Sequence, residues 1–130
     1  MAISNLHEQY KQNSVMTASP QELTAMLYDG AVKFITLGKM SIEQNNIQDA
    51  NNAIIRAQAI VEELNNTLNM GYELSHDLRK LYTYILEGLF QANLKKDMEI
   101  LDEVLPFVRE LRDTWKEAMK QAKIKKRSSK

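Results

Sequence analysis

The chain has 130 residues, with 17 Lys and Arg against 17 Asp and Glu, 44% hydrophobic residues, no cysteine, four glycines and two prolines. That length suits one domain with a core of its own, and the lack of cysteine excludes disulfides, thiol nucleophiles and thiolate-held metal centres. So few Gly and Pro among many Leu, Ala, Glu, Lys, Gln and Met favour helices over strands.

No apolar run approaches the roughly 18 residues of a membrane span, and Met1 to Lys11 lacks the basic-then-apolar order of a secretory leader. A cytoplasmic protein without membrane insertion is expected. The net charge of zero hides an asymmetry: from Lys116 onward there are seven basic residues and one acid, so the preceding body carries the excess of acids. A nucleic-acid binder usually carries its basic footprint on the folded body, so no nucleic-acid partner is expected.

Residues 1–18 show no clear period and read as a separate N-terminal segment with scattered apolar residues, Ile3, Leu6, Tyr10, Val15 and Met16. Ser19, Pro20 and Glu22 then combine an N-cap, a proline at the first helical position and a capping box. In the helix that follows, Leu23, Met26, Leu27, Phe34 and Leu37 share one face, with Tyr28, Ile35 and Ile42 beside it. The apolar arc covers more than half the circumference, wider than a helix with one buried side requires. The polar stretch Ser41 to Asp49 reads as the first turn.

A second helix is expected over about Ile47 to Asn69, with Ala50, Ala53, Ile54, Ala57, Ile60, Val61, Leu64 and Leu68 in one stripe. Ile55 is an apolar outlier on its outer face, and Gly71 suits a left-handed C-terminal cap. The third helix, about Ser75 to Asn93, presents Leu78, Leu81, Tyr82, Ile85, Leu89 and Ala92 as its core face. Leu86, Phe90 and Leu94 form a second stripe next to that face. The fourth starts near Asp97 and carries Leu101, Val104, Val108, Leu111, Trp115, Ala118 and Met119, with Pro106 expected to kink it on the outer side. These elements predict an all-α antiparallel four-helix bundle over 19–122, a short N-terminal segment packed over it, and a basic flexible tail over 123–130.

The chemical inventory is thin. His7 lies in the N-terminal segment and His76 at the start of helix three, where Glu73 and His76 match one Glu-x-x-His spacing. Di-iron bundles need two such motifs and two further inward Glu residues. The glycines are scattered, which leaves no phosphate-cradling loop, and no strand-to-helix serine turn presents a nucleophile. No catalytic residue, metal ligand or cofactor is therefore assigned. A di-iron bundle and a self-associating bundle whose extra stripes meet in a symmetric dimer are the competing readings.

What this leaves is surplus apolar surface on helices one and three. Two accounts fit it: a wide core face that packs inside the bundle, or a groove that receives an amphipathic segment of another protein, over which a tethered N-terminal segment can lie as an exchangeable cover.

The sequence resembles the flagellin export chaperones of bacterial flagella, the FliS family. The resemblance starts at Tyr10 and tightens at Thr17-Ala18-Ser19-Pro20, Leu23, Met26-Leu27-Tyr28-Asp29-Gly30-Ala31 and Phe34. It continues through Ala57 to Leu64, Leu81-Tyr82-Thr83-Tyr84, Leu89, Ala92-Asn93, Asp97, Glu103-Val104 and Trp115-Lys116, about residues 10 to 118. The resemblance implies a cytoplasmic helical bundle that binds the C-terminal segment of flagellin, masks its polymerising surface, and is recognised by the cytoplasmic domain of the export-gate protein FlhA. It also implies that Tyr10 belongs to a groove cover and gate-docking segment. Some relatives carry an apolar or aromatic residue three positions before this tyrosine; His7 stands there, so Leu6 is expected to take its part. Ile55, Leu86, Phe90 and Leu94 are the expected client-binding residues, in grooves built by helices two to four. With no phosphate loop, release is expected from competition at the gate or from the export apparatus itself.

Overall fold

The computed structural model describes residues 17–128. It contains four helices, α1 (Pro20–Glu43), α2 (Ile47–Asn66), α3 (Glu73–Lys95) and α4 (Met98–Ser128). Three of the four starts are set by side chains that accept from the otherwise unpaired first-turn amides. Ser19 Oγ accepts from the Glu22 amide at 3.1 Å, with Pro20 beginning the helix. Asn46 Oδ1 accepts from the Asp49 amide at 3.1 Å, and Asp97 Oδ1 from the Glu99 amide at 2.9 Å.

The helix ends follow different chemistry from that expected. Left-handed backbone occurs at Asn45 and Lys96, and no described glycine has positive φ. The expected Gly71 cap is therefore not formed. Helix α2 stops at Asn66, where the Thr67 hydroxyl donates to the Leu64 carbonyl at 3.1 Å, and Gly71 instead donates its amide to Asn69 Oδ1 at 3.0 Å in an Asx-type turn. At the end of α3, Lys96 Nζ donates to the carbonyl and to Oδ1 of Asn93, at 2.6 and 2.7 Å, placing a cation on the negative helix end. Helix α4 continues to Ser128, past the Ala122 boundary expected for the tail; Pro106 lies within it on the exposed side.

Helix α1 packs on α2 and α4, and α3 packs on the same two helices, so the four form a ring. Neighbours are antiparallel. Asn51 on α2 meets Asn93 on α3 while Asn65 meets Arg79, so numbers rise on one helix as they fall on the other. Lys39–Asp102 and Asp29–Lys116 show the same order between α1 and α4.

The core fills the ring with Ile35, Ile54, Val61, Ile85, Leu89, Leu101, Val104 and Val108, all essentially without exposure. Full burial of such side chains stabilises by about 1.5–3 kcal/mol each. Leu105, outside the stripe expected for α4, joins them. The α2 stripe is inward as expected. On α1 the buried face is Tyr28, Ala31, Ile35 and Gly38, not the bulkier stripe from Leu23 to Leu37. The reason is distance: a Cβ on Gly38 would stand 3.0 Å from Ile54 Cγ1, so α1 turns its small residues toward α2. Between α3 and α4 the approach is tighter still, with Gly88 under Val104.

One polar pair crosses the core, the hydrogen-bonded hydroxyls of Tyr28 and Tyr82. Burial pushes both phenols above their ordinary value of 10.0. The bond they share raises Tyr82 further and offsets part of the rise at Tyr28. Above pH 10 the unfolded chain gives up phenolic protons that the folded chain keeps, so the unfolded state binds fewer protons and stability falls as pH rises. Below that pH the contribution is present in full. Urea midpoints measured across about pH 8 to 11 should therefore decline from pH 10 upward, and Tyr82→Phe should flatten that decline while costing about 1 kcal/mol at neutral pH.

Gly88→Ala tests the close approach. Helix propensity alone favours alanine by about 1 kcal/mol. The added Cβ would lie 2.6 Å from Val104 Cγ1, so a net loss of about 1–3 kcal/mol is expected instead. Gly30→Ala, which meets only the tip of the Ile60 side chain at 3.1 Å, should stay near neutral in the same denaturation assay.

Candidate docking grooves on the bundle

Because α1 uses its small-residue side for the core, its bulky stripe lines the outside of the α1–α2 seam. Two adjoining cavities of about 780 and 560 Å³ run along this seam and share Phe34 and Arg56 in their walls. Leu23, Met26, Leu27 and Phe34 line the first, and Phe34 and Leu37 the second. Met26 and Leu37 are 38% and 39% exposed, and the other three are half-buried. The five residues grouped by periodicity thus share one face as expected, but that face is a trough wall.

The trough carries charge at its centre. Lys33 Nζ and the Arg56 guanidinium each lie 5.3 Å from the centroid of the Phe34 ring, within reach of cation–π attraction. Sequence reasoning passed over both cations, since isolated charges on amphipathic helices usually read as a solvated face. Their signal is their position beside an aromatic on a surplus apolar stripe.

Of the expected client-binding residues, Phe90 and Leu94 are 55% and 69% exposed, Ile55 is 49% exposed, and Leu86 is half-buried against the core. Arg79 and Asn93 face α2 through their bonds to Asn65 and Asn51. Leu86 and Phe90 follow Arg79 by seven and eleven residues, which places them on the same flank of α3. Ile55 follows Asn51 by four and takes the matching flank of α2, level with Phe90 by the antiparallel pairing. The structure thus brings Ile55, Leu86 and Phe90 to the α2–α3 seam, with Leu94 one turn beyond Phe90. Ile55 also lines the end of the α1–α2 trough, so it borders both surfaces.

On the opposite side of α3, Tyr84 and Phe107 stack edge to face at 5.6 Å beside a shallow cavity of about 220 Å³ at Gly88. At one end of the bundle a further cavity of about 480 Å³ opens between all four helices, with Tyr28 and Tyr82 in its wall and Tyr72, Leu74 and Trp115 around it. Trp115 donates its indole N–H to the Gln21 carbonyl at 3.0 Å and ties α4 to the start of α1. The end of α1 that follows residues 1–18 therefore opens beside both this cavity and the trough. Leu6 and Tyr10 lie outside the described residues.

Glu73 and His76 stand exposed in the first turn of α3, and among the described residues no three His, Asp or Glu side chains gather as metal ligands would. Among the described residues no helix is long and apolar enough to cross a membrane.

A family model described as flagellar protein FliS matches residues 3–122. The flagellar secretion chaperone FliS of Bacillus subtilis is 47% identical over 119 residues, covering 92% of this chain and 90% of its own length. That of Escherichia coli K12 is 32% identical over 114 residues, covering 83% and 82%. A crystal structure described as a flagellar chaperone from bacteria shares the fold, with a TM-score of 0.73 at 21% identity over 91% of this chain and 98% of that one. The helical bundle with its apolar seams, read together with these similarities, places the chain in the FliS family of flagellar secretion chaperones, a family of chaperones and not of enzymes.

Proposed function

We propose that this chain acts in the cytoplasm by binding the C-terminal segment of flagellin, holding it back from polymerisation, and delivering it to the cytoplasmic domain of FlhA at the export gate. The observation that carries this reading is the outward turn of the bulky α1 stripe, which leaves a long apolar trough along the α1–α2 seam. The exposed Phe90 and Leu94 add a second apolar surface on α3. A segment with no structure of its own folds as an amphipathic helix when its apolar side meets such a surface. It loses conformational entropy as it orders, so a large buried area remains compatible with release.

In this reading Ile55, Leu86, Phe90 and Leu94 contact the client. Residues 1–18, with Leu6 and Tyr10, cover a groove in the free protein and dock at the gate when the client displaces them. A tethered cover sits at high effective concentration yet makes few contacts, so a longer client helix displaces it.

Calorimetry against the C-terminal segment of flagellin from the same bacterium, with circular dichroism on the mixture, tests the reading. One-to-one binding with a negative heat-capacity change and added helix is expected; no binding at tens of micromolar would overturn it. Phe90→Glu and Leu94→Glu should each weaken client binding about tenfold or more while leaving the helical signal intact, because each replaces buried apolar contact worth about 1.5 kcal/mol or more. Undiminished binding would remove α3 from the client surface. Deleting residues 1–18 should tighten client binding, and Tyr10→Ala should weaken capture of the FlhA domain without changing the client Kd.

A further inference from the structure

The α1–α2 trough has a charge order that its apolar character does not require. Asp49, Arg56 and Glu63 all line it, seven residues apart along α2. Two turns separate successive members, about 10.5 Å, and a seven-residue step drifts only about 20° around the helix, so the three share one face. Lys33 joins Arg56 at the middle from the α1 side, with Phe34 between them. The wall therefore reads acid, two bases, acid, superimposed on the Met26, Leu27, Phe34 and Leu37 stripe.

The central cations have no carboxylate of their own among the described residues. Among the described residues neither Lys33 nor Arg56 forms an ion pair, whereas Lys39 and Lys116 on neighbouring seams are paired across helices with Asp102 and Asp29. Both cations are exposed and rest against the Phe34 ring, which holds them at the trough without neutralising them. Along α1 the trough extends from Pro20 to Ser41, about 30 Å, enough for a helix of about 20 residues.

We infer that the α1–α2 trough selects its occupant by charge register: it takes an amphipathic helix with an apolar stripe, a carboxylate at its centre facing Arg56 and Lys33, and a basic residue about seven positions to either side facing Asp49 and Glu63. The apolar contacts supply most of the affinity and tolerate sliding by a turn. The charges single out one register, because a slide of one turn takes each charge away from its partner and a slide of seven residues sets like charges opposite one another. The inference goes beyond the chaperone reading, since it specifies the occupant by its chemistry and not by its source.

Two 21-residue helical peptides test it directly. They share one leucine stripe; one has Glu at the centre and Lys seven residues to either side, and the other has these charges inverted. Fluorescence anisotropy of the labelled peptides at low salt should show the Glu-centred peptide binding the full-length protein about tenfold tighter. That preference should shrink as salt rises, reverse in the Lys33→Glu, Arg56→Glu double variant, and both peptides should weaken in Leu37→Glu. If circular dichroism shows that the double reversal loses helix, Lys33→Gln with Arg56→Gln should erase the preference without inverting it. Failure of both peptides to bind, equal binding by the two, or a preference unchanged by these variants would overturn the inference. None of these outcomes involves flagellin, so failure here is separable from failure of the chaperone reading.

Discussion

The close approach of α1 to α2 is the contact on which the other features depend. Ala31 and Ala57 are wholly buried, and Gly38 lies under Ile54 with no room for a Cβ to spare. Two helices that approach this closely must turn their small side chains toward each other, and a helix has only one side to turn. Once α1 commits Tyr28, Ala31, Ile35 and Gly38 to the interior, the leucines, methionine and phenylalanine of its other stripe fall on the outer seam. The trough is thus a consequence of core packing. Removing it would require remaking the α1–α2 contact.

This arrangement separates stability from recognition. The side chains that hold the bundle together lie inside the ring, while those available to a partner lie along its seams. A substitution at Phe90 or Leu37 touches little of the core, and one at Ile85 touches little of the surface. The two ion pairs between α1 and α4 lie at partly exposed positions and stabilise weakly, since solvent screens such pairs. Their value is in the register of the helices. The Tyr28–Tyr82 bond acts in the same direction from inside, because two buried hydroxyls without each other would each lose a hydrogen bond to water.

A protein that leaves apolar seams open must avoid self-association and still accept a partner. The exposed apolar residues here are interrupted by charge: Lys33 and Arg56 sit over Phe34 at the centre of the trough. A cation over an aromatic face keeps its hydration on the outer side, so it discourages a second apolar surface and welcomes a helix carrying a carboxylate.

Much of the fold was legible in the sequence. Ser19-Pro20 and Asp97 mark helix starts by a local hydrogen bond that needs no tertiary context. The α2 stripe and the Tyr82, Ile85, Leu89, Ala92 face of α3 follow from periodicity. The surplus width of the α1 arc and the second apolar stripe of α3 were legible too, but not which stripe faces outward; the structure puts Phe90 and Leu94 into solvent. What periodicity could not decide was which half of the α1 arc faces inward, because hydropathy ranks bulky side chains first whereas close packing chose Ala31 and Gly38. The charge order of the trough was hidden for the same reason: Lys33 and Arg56 are 23 positions apart in sequence and meet at Phe34 only because α2 folds back along α1. Local sequence determined where the helices begin and that one of them is too apolar for a single buried side; the distance between helix axes, a property of the assembled bundle, decided which side faces outward.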